Sequence, residues 1–215
     1  VKNLVYIGLS YCSTFIELVN SGRFDRHYGI DPLEKYADLH KRLNEIPNVE
    51  VMTAAAWTHD GEIEFTLSGG SDLGTSSISK GNSLDFPYRS HENLHNGKVV
   101  KVRSVNYPAY LQSKGIEQID TLITDAQGAD LTILKTFEAY LRSQKIGSIT
   151  LELEDARKGK IYPDLPDNTV QSAAEYLKQF GYILVGSSHG IVTRGEFHDF
   201  SDDRWWADYL FEIAP

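Results

Sequence analysis

Leu4-Val5-Tyr6-Ile7-Gly8-Leu9-Ser10-Tyr11-Cys12 is the stretch whose reading decides the fold. Its apolar run, bounded by Gly and Ser, fits a buried parallel strand that ends in a glycine turn and feeds a helix. In an open α/β sheet the ligand sits beyond the carboxyl ends of such strands. Gly8 lacks a Cβ and so lets backbone and ligand come close. Tyr28-Gly29-Ile30 reads as a second strand, and Asp31 follows it. That is roughly 20 residues after the glycine turn, where a ribose-binding carboxylate is expected. The same two residues suit plainer roles equally well: Gly8 ending a strand, and Asp31 capping a helix opened by Pro32.

The stretch disfavours one cofactor class. A pyrophosphate needs several glycines, so that successive N–H groups can face it at a helix N-terminus. Ser10 and Cys12 occupy the region of the second and third glycines, which argues against NAD and FAD. A nucleoside ligand without phosphates, such as S-adenosylmethionine, needs only the close approach and the ribose carboxylate.

Outward from this strand, apolar spacing places helices at about residues 14–19 and 32–43, with Gly22 closing the first. Residues 48–52 alternate into a third strand that runs into Ala54-Ala55-Ala56-Trp57, small residues against which a flat ring can pack. Asp60-Gly61 signals a hairpin, and residues 62–67 alternate as a solvent-facing strand. Residues 68–97 are rich in Gly, Ser and Asn and read as a flexible insertion in a single domain spanning the chain. A strand over 99–105, a short helix over 107–114, a strand over 119–124 and a helix to about 143 follow. Residues 148–154 form a fifth core strand, and 169–180 an amphipathic helix closed by Gly181. Residues 182–185 and 208–213 are joined without a helix of their own, which predicts an antiparallel terminal pair. The expected fold is α/β: a doubly wound, mostly parallel Rossmann-like sheet, covered on both faces, with that pair at its end.

Across 215 residues, 21 basic against 30 acidic side chains leave a net charge of −9. This balance opposes broad contact with nucleic-acid phosphates or anionic membranes, so no nucleic-acid partner is expected. No apolar run is long enough to span a bilayer, and the given sequence starts almost on its first strand, leaving no room for a signal peptide. A cytoplasmic location is the expectation, although the chain lacks an initiator Met and upstream residues could precede it. A single cysteine excludes an internal disulfide and a multi-Cys metal site.

Five blocks, in order along the chain, resemble the FkbM-type S-adenosylmethionine-dependent methyltransferases. Tyr6-Ile7-Gly8-Leu9-Ser10-Tyr11-Cys12 stands where the family has Asp-x-Gly-x-Asn-x-Gly. Gly29-Ile30-Asp31-Pro32 resembles its Phe-Glu-Pro. Asn48-Val49, Ala55-Ala56-Trp57, Asp60-Gly61-Glu62 and Ser76-Ser77 make the third block. Ile119-Asp120-Thr121-Leu122-Ile123-Thr124-Asp125-Ala126-Gln127-Gly128-Ala129-Asp130 resembles the diagnostic Ile-Asp-x-x-Lys-x-Asp-x-Glu-Gly-x-Glu, and Leu151-Glu152 the strand-end Glu. The departures are Tyr6 for Asp, Cys12 for Gly, Ile123 for Lys and Gln127 for Glu.

The resemblance implies a class I methyltransferase fold, S-adenosylmethionine as cofactor, and methyl transfer to a hydroxyl of a small molecule or glycan. It implies that Gly8 and Ser10 line the methionine end, that Asp31 holds the ribose hydroxyls, and that Ala55 and Ala56 flank the adenine. Asp125 enters the same crevice, to orient the cofactor amine, act as a base or help hold a cation; its plainer reading is an N-cap. Glu152 either faces the substrate with Asp125 or is a solvated strand end. Gln127, His91 and His189 are placed on the substrate side; both histidines sit in loops, where an unshifted imidazole titrates near neutrality. His91 and His95 are spaced like metal ligands but lack a helical pattern and a third ligand, so no metal centre is expected. The four departures motivate an alternative, a catalytically silent relative acting as a binding or partner module.

Overall fold

The computed structural model describes residues 1–68, 76–79, 97–157, 161–188 and 206–215. The strands of these residues form two sheets. The larger has seven: β1 (Asn3–Ile7), β2 (Arg26–Asp31), β3 (Val49–Thr53), β7 (Ile119–Thr124), β8 (Ile146–Glu154), β9 (Tyr182–Ser187) and β10 (Trp206–Ile213), in the order β3-β2-β1-β7-β8-β10-β9. The neighbours from β3 to β8 are all parallel, whereas β10 runs antiparallel to both β8 and β9. The terminal pair is thus antiparallel as expected, and β10 inserts between β8 and β9. β1 lies at the point where the strand order reverses, and its carboxyl end opens the crevice.

The helices are α1 (Ser13–Asn20), α2 (Ala37–Leu43) after a 3₁₀ turn at Glu34–Tyr36, α3 (Tyr107–Ser113), α4 (Asp130–Thr136), α5 (Glu138–Arg142) and α6 (Val170–Lys178). Period 2 along each strand sends alternate side chains to opposite faces. On one face Val5, Ile7, Leu122, Ile149, Leu151, Phe211 and Leu184 pack with Leu111, Leu131, Leu134 and Leu177 from the helices. On the other, Leu4, Tyr6, Val49 and Val51 pack with Cys12 and Phe15 of the α1 region and Leu43 of α2. Each such side chain contributes roughly 1.5–3 kcal/mol by leaving water.

The helix expected to run on to about residue 143 is two. Phe137 separates α4 from α5; it is fully buried, and its N–H bonds Leu134 O at 2.9 Å, a tighter i to i−3 closure. Asp60-Gly61 does not join a hairpin. In the small sheet β6 (Lys98–Val105) lies between β4 (Ala55–Ala56) and β5 (Gly61–Leu67). The turn is instead tied to the end of β6, where Asn106 N–H donates to Asp60 Oδ1 at 2.8 Å. β5 alternates through Glu62 and Glu64, which are exposed, and then buries both Phe65 and Thr66. Most of the 68–97 insertion lies outside the described residues. Among the described residues no helix is long and apolar enough to cross a membrane.

Candidate active site

A cleft of about 620 Å³, measured out to its open mouth, lies beyond the carboxyl ends of β1, β2 and β7. Gly8, Ser10, Asp31, Ala55, Ala56, Asp125 and Gln127, all expected at the site, line it together with Ile7. Glu152 stands behind Gln127, bonded to its amide. His91 and His189 lie outside the described residues.

Gly8 has φ +84°, and a Cβ there would overlap the carbonyl oxygen of Asp125. The close approach that demands glycine is therefore made by the end of β7. Gly8 N–H also bonds Ile30 O at 3.0 Å, and Asp125 N–H bonds Ile7 O at 2.9 Å. Three strand ends are pinned together at the floor of the cleft. Beyond them Ser10 (φ 47°) and Cys12 (φ 65°) take the left-handed conformation without being glycine.

Asp31 accepts Ser10 N–H and Leu33 N–H, each at 2.8 Å. It closes the Pro32 turn without capping the 3₁₀ helix, whose N-cap is Leu33. Burial raises its carboxyl to about 6, against the pull of these backbone donors. A carboxylate has about four lone-pair sites, so it can still accept a hydroxyl.

Asp125 does not cap α4 either: the N-cap is Ala129, and Asp130 Oδ1 accepts Ala126 N–H at 2.9 Å. Asp125 Oδ1 instead accepts from Gln127 Nε2 at 2.7 Å, and the same Nε2 donates to Glu152 Oε2 at 2.7 Å. Both carboxyls titrate above the usual carboxylate range, first because of burial and then because neighbouring carboxylates, Asp208 among them, repel a second charge. Asp130, fully buried on α4, is raised to about 7, chiefly by burial.

The opposite end of the cleft is apolar: Ala55 and Ala56 of β4 share it with Trp57, Ile63, Phe65 and Ile78. Sequence reasoning does not find these last four as site residues. Their only signal is the alternation of β5 and the Trp57 and Ser76-Ser77 blocks. Ser77 Oγ donates to Gln127 O at 2.5 Å and thereby ties this segment to the carboxylates.

The residues present fit S-adenosylmethionine. The buried Ser10 Oγ, at the cleft wall, has no hydrogen-bond partner among the described residues. Asp31 is an acceptor for vicinal hydroxyls, the Ala55–Ala56 wall admits a flat ring, and the carboxylates suit a cationic amine and sulfonium. Among the described residues no group of three His, Cys, Asp or Glu side chains is arranged to hold a metal ion.

A profile of the methyltransferase FkbM domain matches residues 5–184. The chain belongs to the FkbM methyltransferase family. S-adenosylmethionine is the methyl donor of that family, and the donor set of the cleft suits it. No curated protein matches the chain significantly. Of solved structures, a protein of Listeria monocytogenes assigned to the S-adenosylmethionine dependent methyltransferases is 9% identical, with a TM-score of 0.51 over 100% of this chain and 92% of that one. It shares the fold. TrmK of M. capricolum, solved with S-adenosyl-homocysteine, is 12% identical with a TM-score of 0.48 (98% and 62% covered). Sp1610 of Streptococcus pneumoniae, assigned as a tRNA methyltransferase, is 12% identical with a TM-score of 0.45 (99% and 64%). The FkbM chain thus spans less than two thirds of the length of these last two.

Proposed function

We propose that this FkbM domain transfers a methyl group from S-adenosylmethionine to a hydroxyl of an uncharged small molecule or glycan. The observation that carries the reading is Asp125, joined through Gln127 to Glu152 behind it, at the end of a cleft whose described lining holds no Lys, Arg or His. Such a wall offers acceptors to hydroxyl hydrogens and repels phosphates and carboxylates. With the chain's net charge of −9, it weighs against a nucleic-acid acceptor.

When bound, the cofactor supplies a methyl group already activated by a sulfonium. The protein's part is positional. Gly8 and Ser10 shape the floor, Asp31 fixes the ribose end, and the Ala55–Ala56 wall excludes water from the ring. Asp125 lines the cleft and its carboxyl is raised by burial, so it is the group placed to take the hydroxyl proton as the acceptor oxygen attacks, with Glu152 coupled to it through Gln127.

Three of the four departures from the family motif do not touch the cleft. Tyr6 and Cys12 are buried in the core on the α1 side, and Ile123 packs against the same cluster. This favours an active enzyme over a silent relative, because only Gln127 alters the wall.

The test is calorimetric titration with S-adenosyl-homocysteine on wild type and Asp31→Ala, followed by transfer of labelled methyl to sugars, phenols and RNA. Micromolar binding, about −8 kcal/mol, that is lost in the variant and accompanied by transfer to a sugar or phenol is expected. Transfer to RNA alone would refute the acceptor class. Binding without transfer to any acceptor would leave the silent relative.

A further inference from the structure

Nothing in the sequence singles out Tyr162, yet it completes the site. We propose that Tyr162 is a positioning residue: its hydroxyl holds the Gln127 amide so that Nε2 clamps Asp125 and Glu152 into one two-carboxyl unit. The proposal rests on the reading of Asp125, coupled to Glu152, as the proton acceptor for the methylated hydroxyl.

The geometry is a chain of donors with one direction. Tyr162 Oη donates to Gln127 Oε1 at 3.0 Å, which leaves both amide hydrogens for Asp125 Oδ1 and Glu152 Oε2. Gln127 is held at its backbone as well, with φ 49° and its carbonyl bonded by Ser77 Oγ. Tyr162 is itself fixed. It is 4% exposed, and its N–H donates to Glu154 Oε1 at 2.9 Å. Its ring lies so close to Gly128 that a Cβ there would overlap it. The motif glycine, with φ +96°, therefore serves this ring as well as the turn.

The amide clamp works against protonation of either carboxyl, because an N–H donor stabilises the ionised form. Without the Tyr162 hydroxyl, Oε1 loses its donor and the amide is free to turn its oxygen toward the carboxylates, where it favours the protonated form. The other titratable groups that bear on the pair or on Tyr162 among the described residues are Tyr6 of β1, Asp31 of β2, Asp130 of α4, Asp208 of β10 and Glu154 of β8. All of them are present unchanged in the variants below.

The experiment titrates the carboxyl carbons of ¹³C-labelled, ligand-free protein by NMR, with the Glu152 signal identified by its loss in Glu152→Gln. Tyr162→Phe keeps the ring and removes only the hydroxyl. Its Glu152 midpoint is expected to move up, by about threefold to tenfold in proton affinity, the size of one hydrogen bond between neutral groups such as the one removed. Gln127→Met removes the clamp itself and should raise the midpoint at least as far. It decides the matter if Tyr162→Phe does not fold. A midpoint unmoved in the folded variants overturns the proposal, since loss of packing alone would spare it. S-adenosyl-homocysteine calorimetry on wild type reports separately on the methyltransferase reading: failure there with a shifted midpoint strikes the proposed reaction and spares the clamp.

Discussion

Asp31 offers the sharpest test of the site's electrostatics. It is 4% exposed, and burial raises its carboxyl from 3.8 to about 6. The native state therefore holds its proton more tightly than the unfolded chain does, and stability falls as pH rises between those values. At about 1.4 kcal/mol per pH unit, the contribution present below pH 4 and lost above pH 6 is about 3 kcal/mol. An asparagine at this position would carry no such dependence. It would instead set one amide N–H against a backbone donor, Ser10 or Leu33, at a cost of about 1–3 kcal/mol at every pH. Asp31→Asn should thus be less stable than wild type near pH 4, and equal to it or more stable near pH 8. Urea unfolding of both proteins from pH 4 to 8 measures the difference, in which the titration of groups remote from Asp31 cancels. A difference between the two ends smaller than about 1 kcal/mol would refute the argument that this carboxylate is held away from water.

Two further outcomes follow from the floor of the cleft. Gly8→Ala must force a Cβ at φ +84° into the Asp125 carbonyl; a loss of at least about 3 kcal/mol in thermal or urea unfolding is expected, and a loss under about 1 kcal/mol would show that the ends of β1 and β7 are not in contact. Cys12, fully buried at φ 65°, sits where the resembling motif has glycine. Cys12→Gly and Cys12→Ala both forfeit the thiol's packing, but only glycine relieves the left-handed backbone, so Cys12→Gly should be the more stable by about 1 kcal/mol. Equal stabilities would contradict the assigned conformation.

The succession of strands and helices is legible in the sequence because hydrophobic period and turn residues are local. Asp31 and Asp125 are legible too, since each follows an apolar run directly. What escapes is everything built by contact across long separations. Ser77 and Gln127 are 50 residues apart, and Tyr162 and Gln127 are 35 apart. Nothing in the polar, proline-bearing stretch around Tyr162 announces a buried ring. From sequence, Gly8 makes room for a ligand; only the packing of β7 shows that a carbonyl of the chain itself fills that space. The hairpin at Asp60-Gly61 fails for a related reason, because local turn chemistry cannot reveal that β6, about 30 residues after β5 ends, takes the place between β4 and β5.

Two of the departures make sense only together. Where the family motif has Asp and Lys, this chain has Tyr6 and Ile123, and the register sets these two residues side by side on β1 and β7. Both face the core on the α1 side. Exchanging a charged pair there for an apolar one as a unit avoids leaving one buried charge alone, a state that costs about 3–5 kcal/mol. Tyr6→Asp by itself should carry that cost in full, because the position is buried and Asp125, Asp208 and Glu152 already bear on it; burial first, and then these charges, raise the Tyr6 hydroxyl. Ile123→Lys should cost less, being only partly buried and beside those acids. In the double variant the two charges meet, and a double-mutant cycle by urea unfolding should return a favourable coupling of about 1–3 kcal/mol. Additive losses would mean that the two substitutions arose independently and that the adjacency of residues 6 and 123 carries no energy.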